Sequence, residues 1–379
     1  VVDAKGASLS LAALIKGFQV FQGESQLSQA NKNGNHIQAV ILNRISPMLY
    51  PRMKAVIEKE TGVLVAGYVP ELDFWQVGSR HLGLVLPGEI KNLQEQMRQL
   101  GDCLEKTLDV DALLKLGEKA DIDALGSVTV TADGSSQKCE AQKNADLVLQ
   151  NQLSGEKISH SAIRIRLGVA WDEAFCFYYR DNLEFLEKQG VQIVRFSPVH
   201  DKHLPDDLDG LLLGGGYPEL YAKALGENET IRNEIRRKAE EDMPILAECG
   251  GYLYLLKELK DENGTGYEMA GVFSGKGYKK GKNSHFGYIT VQTERDSLYL
   301  KAGETIKGHE FHYWESTQDE NELKMQAKKP TGKRSWPCVT VKNQVMAGFP
   351  HLYYPSLEGF GERFVQACDR YRMKRKRQQ

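Results

Sequence analysis

The sequence lacks the features of a disulfide-rich, membrane-spanning or polyanion-binding protein. Its six cysteines are widely spaced and form no CxxC pair, which argues against a disulfide framework and a structural zinc site. No stretch approaches the roughly 20 apolar residues of a membrane span, and the first residues do not resemble a signal peptide. Lys and Arg total 49 against 51 Asp and Glu, so no basic footprint marks nucleic-acid binding. We expect a cytoplasmic protein with reduced thiols that binds neither membrane nor nucleic acid.

What is present is an ordinary globular composition with an alternating α/β pattern. The 379 residues are long enough for two or three domains. The first segment places a helix at Tyr50–Glu60 between the strands Ala39–Asn43 and Val63–Tyr68, which is typical of a parallel sheet covered by helices. Ser, Gln, Lys, Asn and Gly then dominate between residues 126 and 161. The pattern predicts a domain at 1–125, a linker at 126–161, a second domain at 162–374 and a basic tail at 375–379.

The second domain resumes the α/β alternation and then changes character. Apolar strands are predicted at Leu167–Ala170, Val191–Phe196, Gly210–Leu213 and Ile245–Ala247, with helices between them. After residue 270 the pattern turns to short β segments before a last helix. We therefore expect an open parallel sheet that ends in a mixed, partly antiparallel edge.

The sharpest local signal is the segment from Pro244 to Leu256, in which an apolar strand runs through Glu-Cys-Gly-Gly into an apolar helix. This is the layout of a nucleophile elbow, with Cys249 at a tight turn and glycines that let the backbone bend. The helix start favours the thiolate, and the Gly250 amide faces the place where an oxyanion would form. The alternative is that Cys249 is one more buried cysteine and that the glycines only permit close packing.

A second glycine-rich segment, Gly214-Gly215-Gly216, follows the apolar strand Leu211–Leu213. Open α/β sheets bind ligands at this edge, and backbone amides there can face an anion. The segment lacks the Lys-Ser/Thr of a Walker loop. It is therefore more simply interpreted as a second oxyanion donor than as a phosphate-binding loop. A plain turn is the alternative.

A thiol nucleophile needs a base, and the candidates are histidines at strand ends. His351 follows the predicted strand Val345–Phe349, and its rivals are His309 and His312 in Gly-His-Glu-Phe-His-Tyr. Strand alternation places Glu310 and His312 on one face, which would suit half of a metal site. The sequence shows no third ligand nearby, so we expect no metal centre.

These segments together resemble the cobyrinate a,c-diamide synthase family. The resemblance rests on Asp172–Tyr179, on Gly214-Gly-Gly-Tyr-Pro-Glu219, on Ala247-Glu-Cys-Gly-Gly251, on Gly308–Tyr313 and on the region of His351. It implies a C-terminal class I glutamine amidotransferase-like domain of flavodoxin-like fold. The earlier part, through Val1–Gly6, Ala39–Arg44 and Arg80–Leu84, resembles a partial P-loop domain related to dethiobiotin synthetase.

The resemblance implies a ligase with two reaction centres. Cys249 would attack glutamine, His351 would transfer the proton, and amides near Gly250 and Gly215 or Gly216 would hold the oxyanion. ATP and Mg²⁺ would activate the a- and c-carboxylates of a corrinoid, which ammonia would then convert to amides in cobalamin biosynthesis. Asn43 would lie near the adenine.

The sequence departs from this family at two points. Triad amidotransferases carry Glu two residues after the histidine, whereas Tyr353 stands there, so the group that orients His351 is unassigned. The family's Gly-Lys-Thr phosphate loop has no counterpart before the first strand, so we expect that sequence upstream is missing and that glutamine hydrolysis alone survives in this chain.

Several alternatives stay open at this point. The macrocycle would be cobyrinate, hydrogenobyrinate or a nickel sirohydrochlorin, since no residue decides among them. A stand-alone thiol hydrolase and a non-catalytic scaffold are the readings from other classes. The oligomeric state is not specified, and a homodimer is retained as a working hypothesis.

Overall fold

The computed structural model describes residues 1–20, 37–75, 79–80, 83–84, 90–118, 165–281, 285–317, 323–332 and 334–378. The predicted linker at 126–161 lies outside the described residues. The chain divides into two compact units, Val1–Ile158 and Ser159–Gln379. No helix among the described residues combines the length and the hydropathy needed to span a membrane.

The first unit contains a parallel sheet of three strands in the order β1-β2-β3. The described strands of the whole unit are β1 (Val2–Asp3), β2 (Ala39–Asn43), β3 (Leu64–Val69), β4 (Ser79–Arg80) and β5 (Gly83–Leu84). Its helices are α1 (Ser10–Val20), α2 (Tyr50–Thr61), α3 (Leu93–Thr107) and α4 (Val110–Glu118). Buried side chains of α1 and α2 pack with those of β2 and β3 in one core. The predicted α/β arrangement is present, and the relation to a P-loop domain stays a prediction.

The second unit follows the predicted order of elements. Its strands are β6 (Ile165–Ala170), β7 (Phe175–Phe177), β8 (Val191–Phe196), β9 (Gly210–Leu213), β10 (Gly215–Gly216), β11 (Ile245–Glu248), β12 (Glu258–Lys260), β13 (Gly266–Glu268), β14 (Lys276–Lys279), β15 (Phe286–Gln292), β16 (Thr305–Phe311), β17 (Trp314–Ser316), β18 (Leu323–Lys328), β19 (Ser335–Lys342), β20 (Val345–Gly348) and β21 (His351–Leu352). Its helices are α5 (Arg180–Lys188), α6 (Ala222–Glu227), α7 (Glu229–Glu240), α8 (Gly250–Leu255) and α9 (Phe360–Gln378). The predicted basic tail begins inside α9, where Arg375 binds Asp207 and the buried Asp209.

One large sheet organises this unit. The described strands pair in the order β21-β16-β15-β18-β19-β20-β11-β9-β6-β8. Strands β8, β6, β9, β11 and β20 are parallel, which in chain order gives the arrangement 2-1-3-4-5 of flavodoxin-like sheets. The strands β19, β18, β15, β16 and β21 add an antiparallel edge, as the sequence predicted.

The central parallel strands β9 and β11 are buried on both faces. Alternate residues of β9 and β11 enter different cores: Leu211 and Ile245 pack on one face, whereas Leu212 and Leu246 pack on the other. Strands buried on both faces read as continuous apolar runs, which explains why both were recognisable in the sequence. Their carboxyl ends open onto the two glycine-rich turns, and the site therefore lies at this edge of the sheet.

Candidate active site

The turn at Cys249 has the strand-to-helix geometry that the sequence predicted. β11 ends at Glu248, α8 begins at Gly250, and Cys249 between them has φ 50° and ψ −101°. That positive φ is unusual for a residue with a side chain and is typical of nucleophile elbows. The Cys249 N–H donates to the Gly348 carbonyl at 2.8 Å, so β20 holds the strained turn in place.

The glycines after Cys249 are required by close contact with the loop that follows β9. A Cβ at Gly250 would lie 2.9 Å from Pro218 Cδ and 3.1 Å from the Gly216 nitrogen. A Cβ at Gly251 would overlap the Leu213 carbonyl, and the Gly251 N–H donates to Gly214 at 2.8 Å. The structure thus brings Gly250 and Gly216, two of the predicted oxyanion donors, side by side.

His351 reaches the same loop from β21. A Cβ at Gly215 would overlap His351 Cε1, so the imidazole lies directly on this glycine. The ring is largely buried, with 14% of the side chain exposed. Cys249 and His351 therefore approach the Gly214–Gly216 loop from two different strands.

The rival histidines have other surroundings. His309 lies opposite His351 in the register of β16 and β21, and its ring contacts the edges of Phe286 and Tyr288. His312 is buried and stacks on Phe349 with ring centroids 4.0 Å apart. Of the three rings, the structure places His351 against the glycine loop.

Burial sets the protonation of the two central groups. It raises the pKa of the Cys249 thiol well above its usual range, with a further increase from Glu219 and Glu310, while the Gly250 N–H acts in the opposite direction. The expected preference for the thiolate is therefore wrong for the resting protein, because desolvation outweighs the start of a short helix. Burial also lowers the pKa of His351 to about 4, so its ring is neutral near pH 7 and able to accept a proton.

The sequence interpretation missed Glu248, which lies beside the His351 ring. Its Oε2 is 3.9 Å from His351 Nδ1, and its Oε1 accepts hydrogen bonds from the Leu352 N–H at 3.3 Å and the Tyr354 hydroxyl at 3.1 Å. Burial raises the pKa of this carboxyl to about 8. The available signal was a glutamate that ends an otherwise apolar buried strand, since such a group needs polar partners.

Tyr353, which replaces the glutamate of the usual triad, forms its side-chain hydrogen bond with Asp181. Its hydroxyl donates to Asp181 Oδ2 at 3.2 Å, and its side chain is partly exposed. The carboxylate closest to His351 Nδ1 among the described groups thus comes from the residue before the nucleophile.

Asn43 belongs to the first unit, where it lies at the carboxyl end of β2. It lines a cavity of about 590 Å³ together with Arg44, Glu71, Asp73 and Trp75, among other residues. Arg44 forms a two-contact ion pair with Asp3, and Glu71 pairs with Lys5 at 2.5 Å. This cavity is a second candidate site, described separately from the Cys249 site.

Comparisons with known proteins agree with these observations. Residues 166–357 match the model of the CobB/CobQ-like glutamine amidotransferase domain. A cobyrinate a,c-diamide synthase from Caldanaerobacter subterraneus subsp. tengcongensis is 33% identical over 373 residues, which are 98% of this chain and 74% of that protein. The same-named protein from Picrophilus torridus is 32% identical over 97% of this chain and 72% of its own length.

Among solved structures, PurLQS from Thermotoga maritima is 18% identical and has a TM-score of 0.38, covering 55% of this chain and 99% of its own. The relatives from Caldanaerobacter and Picrophilus each exceed 30% identity over nearly the whole of this chain. The chain therefore belongs to the cobyrinate a,c-diamide synthase family and carries its CobB/CobQ-like glutamine amidotransferase domain.

Proposed function

We propose that this chain hydrolyses glutamine at Cys249 and supplies the ammonia for ATP-dependent amidation of the a- and c-carboxylates of cobyrinate. The observation that carries the proposal is the convergence of the Cys249 elbow and His351 on the Gly214–Gly216 loop. The acceptor is inferred from the relatives, whose names specify cobyrinate and its a- and c-positions.

The first half-reaction releases ammonia. Cys249 Sγ attacks the side-chain amide carbon of glutamine while His351 accepts the thiol proton, so that a thiolate need not exist before substrate arrives. The oxyanion is held by the Gly250 amide and by Gly215 or Gly216. His351 then gives the proton to the departing nitrogen, the C–N bond breaks, and ammonia leaves a glutamyl thioester.

The second half-reaction restores the thiol. The neutral His351 ring takes a proton from water, and the resulting hydroxide attacks the thioester carbon. The C–S bond breaks, the proton returns to Cys249 Sγ, and glutamate is released. Glu248, whose Oε2 lies 3.9 Å from His351 Nδ1, has the place that the third residue has in other triads and contributes by positioning the ring.

The family uses ATP and Mg²⁺ in general, and ATP would supply the phosphoryl group that activates a carboxylate as an acyl phosphate, from which ammonia would displace phosphate. The cavity beside Asn43 has room for a nucleobase, and the Asn43 amide offers both a donor and an acceptor. Its described lining contains the carboxylates Glu71 and Asp73, which repel phosphate. We therefore assign only the nucleoside part of ATP to it.

Glutamate release by the wild-type chain tests the proposal. We expect glutamine to be hydrolysed and asparagine, simple esters and peptides to remain intact, measured by a glutamate dehydrogenase assay and by chromatography. Hydrolysis of esters or peptides without glutamine turnover would instead indicate a general thiol hydrolase. No turnover with glutamine, ATP, Mg²⁺ and the corrinoid together would favour a scaffold.

The Glu248→Gln variant tests the role of the buried carboxyl. We expect kcat for glutamine to fall about 10- to 100-fold with little change in KM, because substrate contacts remain while the carboxyl beside His351 Nδ1, which can ionise when the ring takes up a proton, is replaced by an amide that cannot. Glutamine at this position can still accept the hydrogen bonds from Leu352 and Tyr354. Steady-state kinetics checks this, with the exposed Glu187→Gln as the matched control. A change confined to KM would contradict the positioning role.

The Glu248→Gln variant should also change how the free energy of unfolding depends on pH. Because the pKa of Glu248 is raised to about 8, the folded chain binds a proton that the unfolded chain has lost, and stability falls as pH rises toward 8. His351 acts in the opposite direction between about 4 and 6.5. From pH 6.5 to 8, urea unfolding of the wild type should lose about 2 kcal/mol from this carboxyl, and Glu248→Gln should not. An unchanged slope in the variant would show that another group is responsible.

A further inference from the structure

A cluster of three ligand-type side chains lies outside the catalytic groups, at the antiparallel edge of the second unit. His285, Glu310 and His312 each offer one ligand atom, and these three atoms lie within 4.8 Å of one another. We propose that these residues bind one divalent zinc ion. The inference does not depend on the proposed glutaminase activity.

The third ligand follows from strand register. Glu310 and His312 are the pair that the sequence recognised as half of a site, and both are buried. β15 and β16 run antiparallel with Phe286 opposite Phe311, and just beyond this pair the ring centroids of His285 and His312 are 5.9 Å apart. His285, which lies 25 positions before Glu310 in the chain, thus completes the set of three ligands. No local sequence pattern could reveal this third ligand.

Hydrogen bonds orient two of these side chains, His312 and Glu310, for a metal. His312 Nδ1 donates to the Trp314 carbonyl at 2.6 Å, which fixes the tautomer and leaves the Nε2 lone pair facing the cluster. Trp336 Nε1 donates to both oxygens of Glu310, at 3.3 Å to Oε1 and 3.1 Å to Oε2, and orients the carboxylate. Metal-binding histidines and carboxylates are commonly held by such outer partners.

Ring stacking restricts the histidines further. The His285 ring lies parallel to Trp336, with centroids 4.3 Å apart and an interplanar angle of 14°. His312 is stacked on Phe349 at an angle of 6°. The rings are therefore already ordered before any ion arrives, which lowers the entropy cost of binding.

A network of hydrogen bonds alone does not account for the cluster. His312 Nε2 is buried without a hydrogen-bond partner, and its distance to Glu310 Oε2 is 3.6 Å. His285 Nδ1 is 4.0 Å from the same oxygen. Both distances exceed a normal hydrogen bond, whereas donor atoms around a tetrahedral zinc ion are about 3.3 Å apart. Small side-chain movements would bring all three atoms to zinc.

The donor set selects the kind of metal. Two imidazole nitrogens and one carboxylate suit zinc and related transition metals and disfavour Mg²⁺ and Ca²⁺, which prefer oxygen. Glu315 lies 3.8 Å from His285 Nδ1 but is also 3.5 Å from Lys280, so we do not count it as a ligand. The adjoining cavity of about 200 Å³ leaves space for water at the fourth position.

Zinc titration of the full chain tests the proposal. The Cys249→Ser form is treated with chelator, incubated with Zn²⁺, desalted and measured by elemental analysis, with affinity from competition against a chromophoric chelator. Serine at position 249 prevents binding by the catalytic thiol. We expect one zinc per chain, and at least about 100-fold weaker binding in His312→Ala and Glu310→Gln, since each removes a ligand.

Two further variants make the result decisive. His285→Asn changes a partly exposed ligand and should fold normally while losing the ion, which separates ligation from a folding defect. His309→Ala lies on the same strand as Glu310 but on the other face and should keep wild-type affinity. Equal zinc binding by all four variants, or none by the parent, would overturn the proposal.

Discussion

Cys249→Ala should reduce glutamate release from glutamine by at least about 10³-fold, because no other described group can form the thioester at the elbow. The thiol is the attacking atom, and its loss cannot be compensated by His351. The glutamate dehydrogenase assay measures the effect, and mass spectrometry adds a second readout. An electrophilic glutamine analogue should add covalently to the wild type and leave the variant unlabelled.

Cys368→Ala is the matched control for that experiment. Cys368 is buried like Cys249 but lies in α9, where its sulfur packs against Gly210. We expect this variant to retain glutamine turnover and labelling. Labelling that persists in Cys249→Ala and disappears in another cysteine variant would move the nucleophile elsewhere.

His351→Ala should lower kcat for glutamine by about 10²- to 10⁴-fold, the usual range for loss of a general base. The effect should be large because the pKa of Cys249 is raised, so the thiol cannot ionise unaided at neutral pH. The alanine leaves a cavity beside Gly215, and added imidazole should restore part of the rate. Rates with and without imidazole measure both effects.

The His309→Ala variant tests whether glutamine turnover depends on the histidine at position 351 in particular or on any histidine in this pair of strands. His309 pairs directly with His351 across β16 and β21, so the two variants disturb the same pair of strands. We expect near wild-type turnover from His309→Ala and no imidazole rescue. Intact turnover in His351→Ala would instead transfer the role of base to His309 or His312.

The parts of the fold that sequence reasoning recovered are those with a local cause. A buried strand that runs into Cys-Gly-Gly specifies the elbow within about ten residues, and the Gly214–Gly216 turn follows a strand of the same kind. Four of the five parallel strands, β6, β8, β9 and β11, were identified as parallel from the sequence, and in β9 and β11 burial on both faces leaves continuous apolar runs. The role of Cys249 as nucleophile stays a prediction until turnover is measured.

The parts that sequence reasoning missed depend on register between distant segments. Glu248 meets His351 because β11 and β20 pair in parallel and the chain then turns into β21, which no spacing along the sequence reveals. His285 meets His312 through the pairing of β15 with β16. The thiolate expectation failed for another reason: burial of Cys249 is a property of the assembled domain, whereas the helix start is visible locally.

The position of β20 links the elbow to the stability of the whole second unit. This strand pairs with β11 on one side and β19 on the other, and its residues alternate between the two cores, with Ala347 in one and Met346 in the other. Its last carbonyl also receives the Cys249 N–H. Local opening of the elbow would therefore disrupt the packing of both cores at once. The amide protons of the elbow should consequently exchange with solvent only through global unfolding.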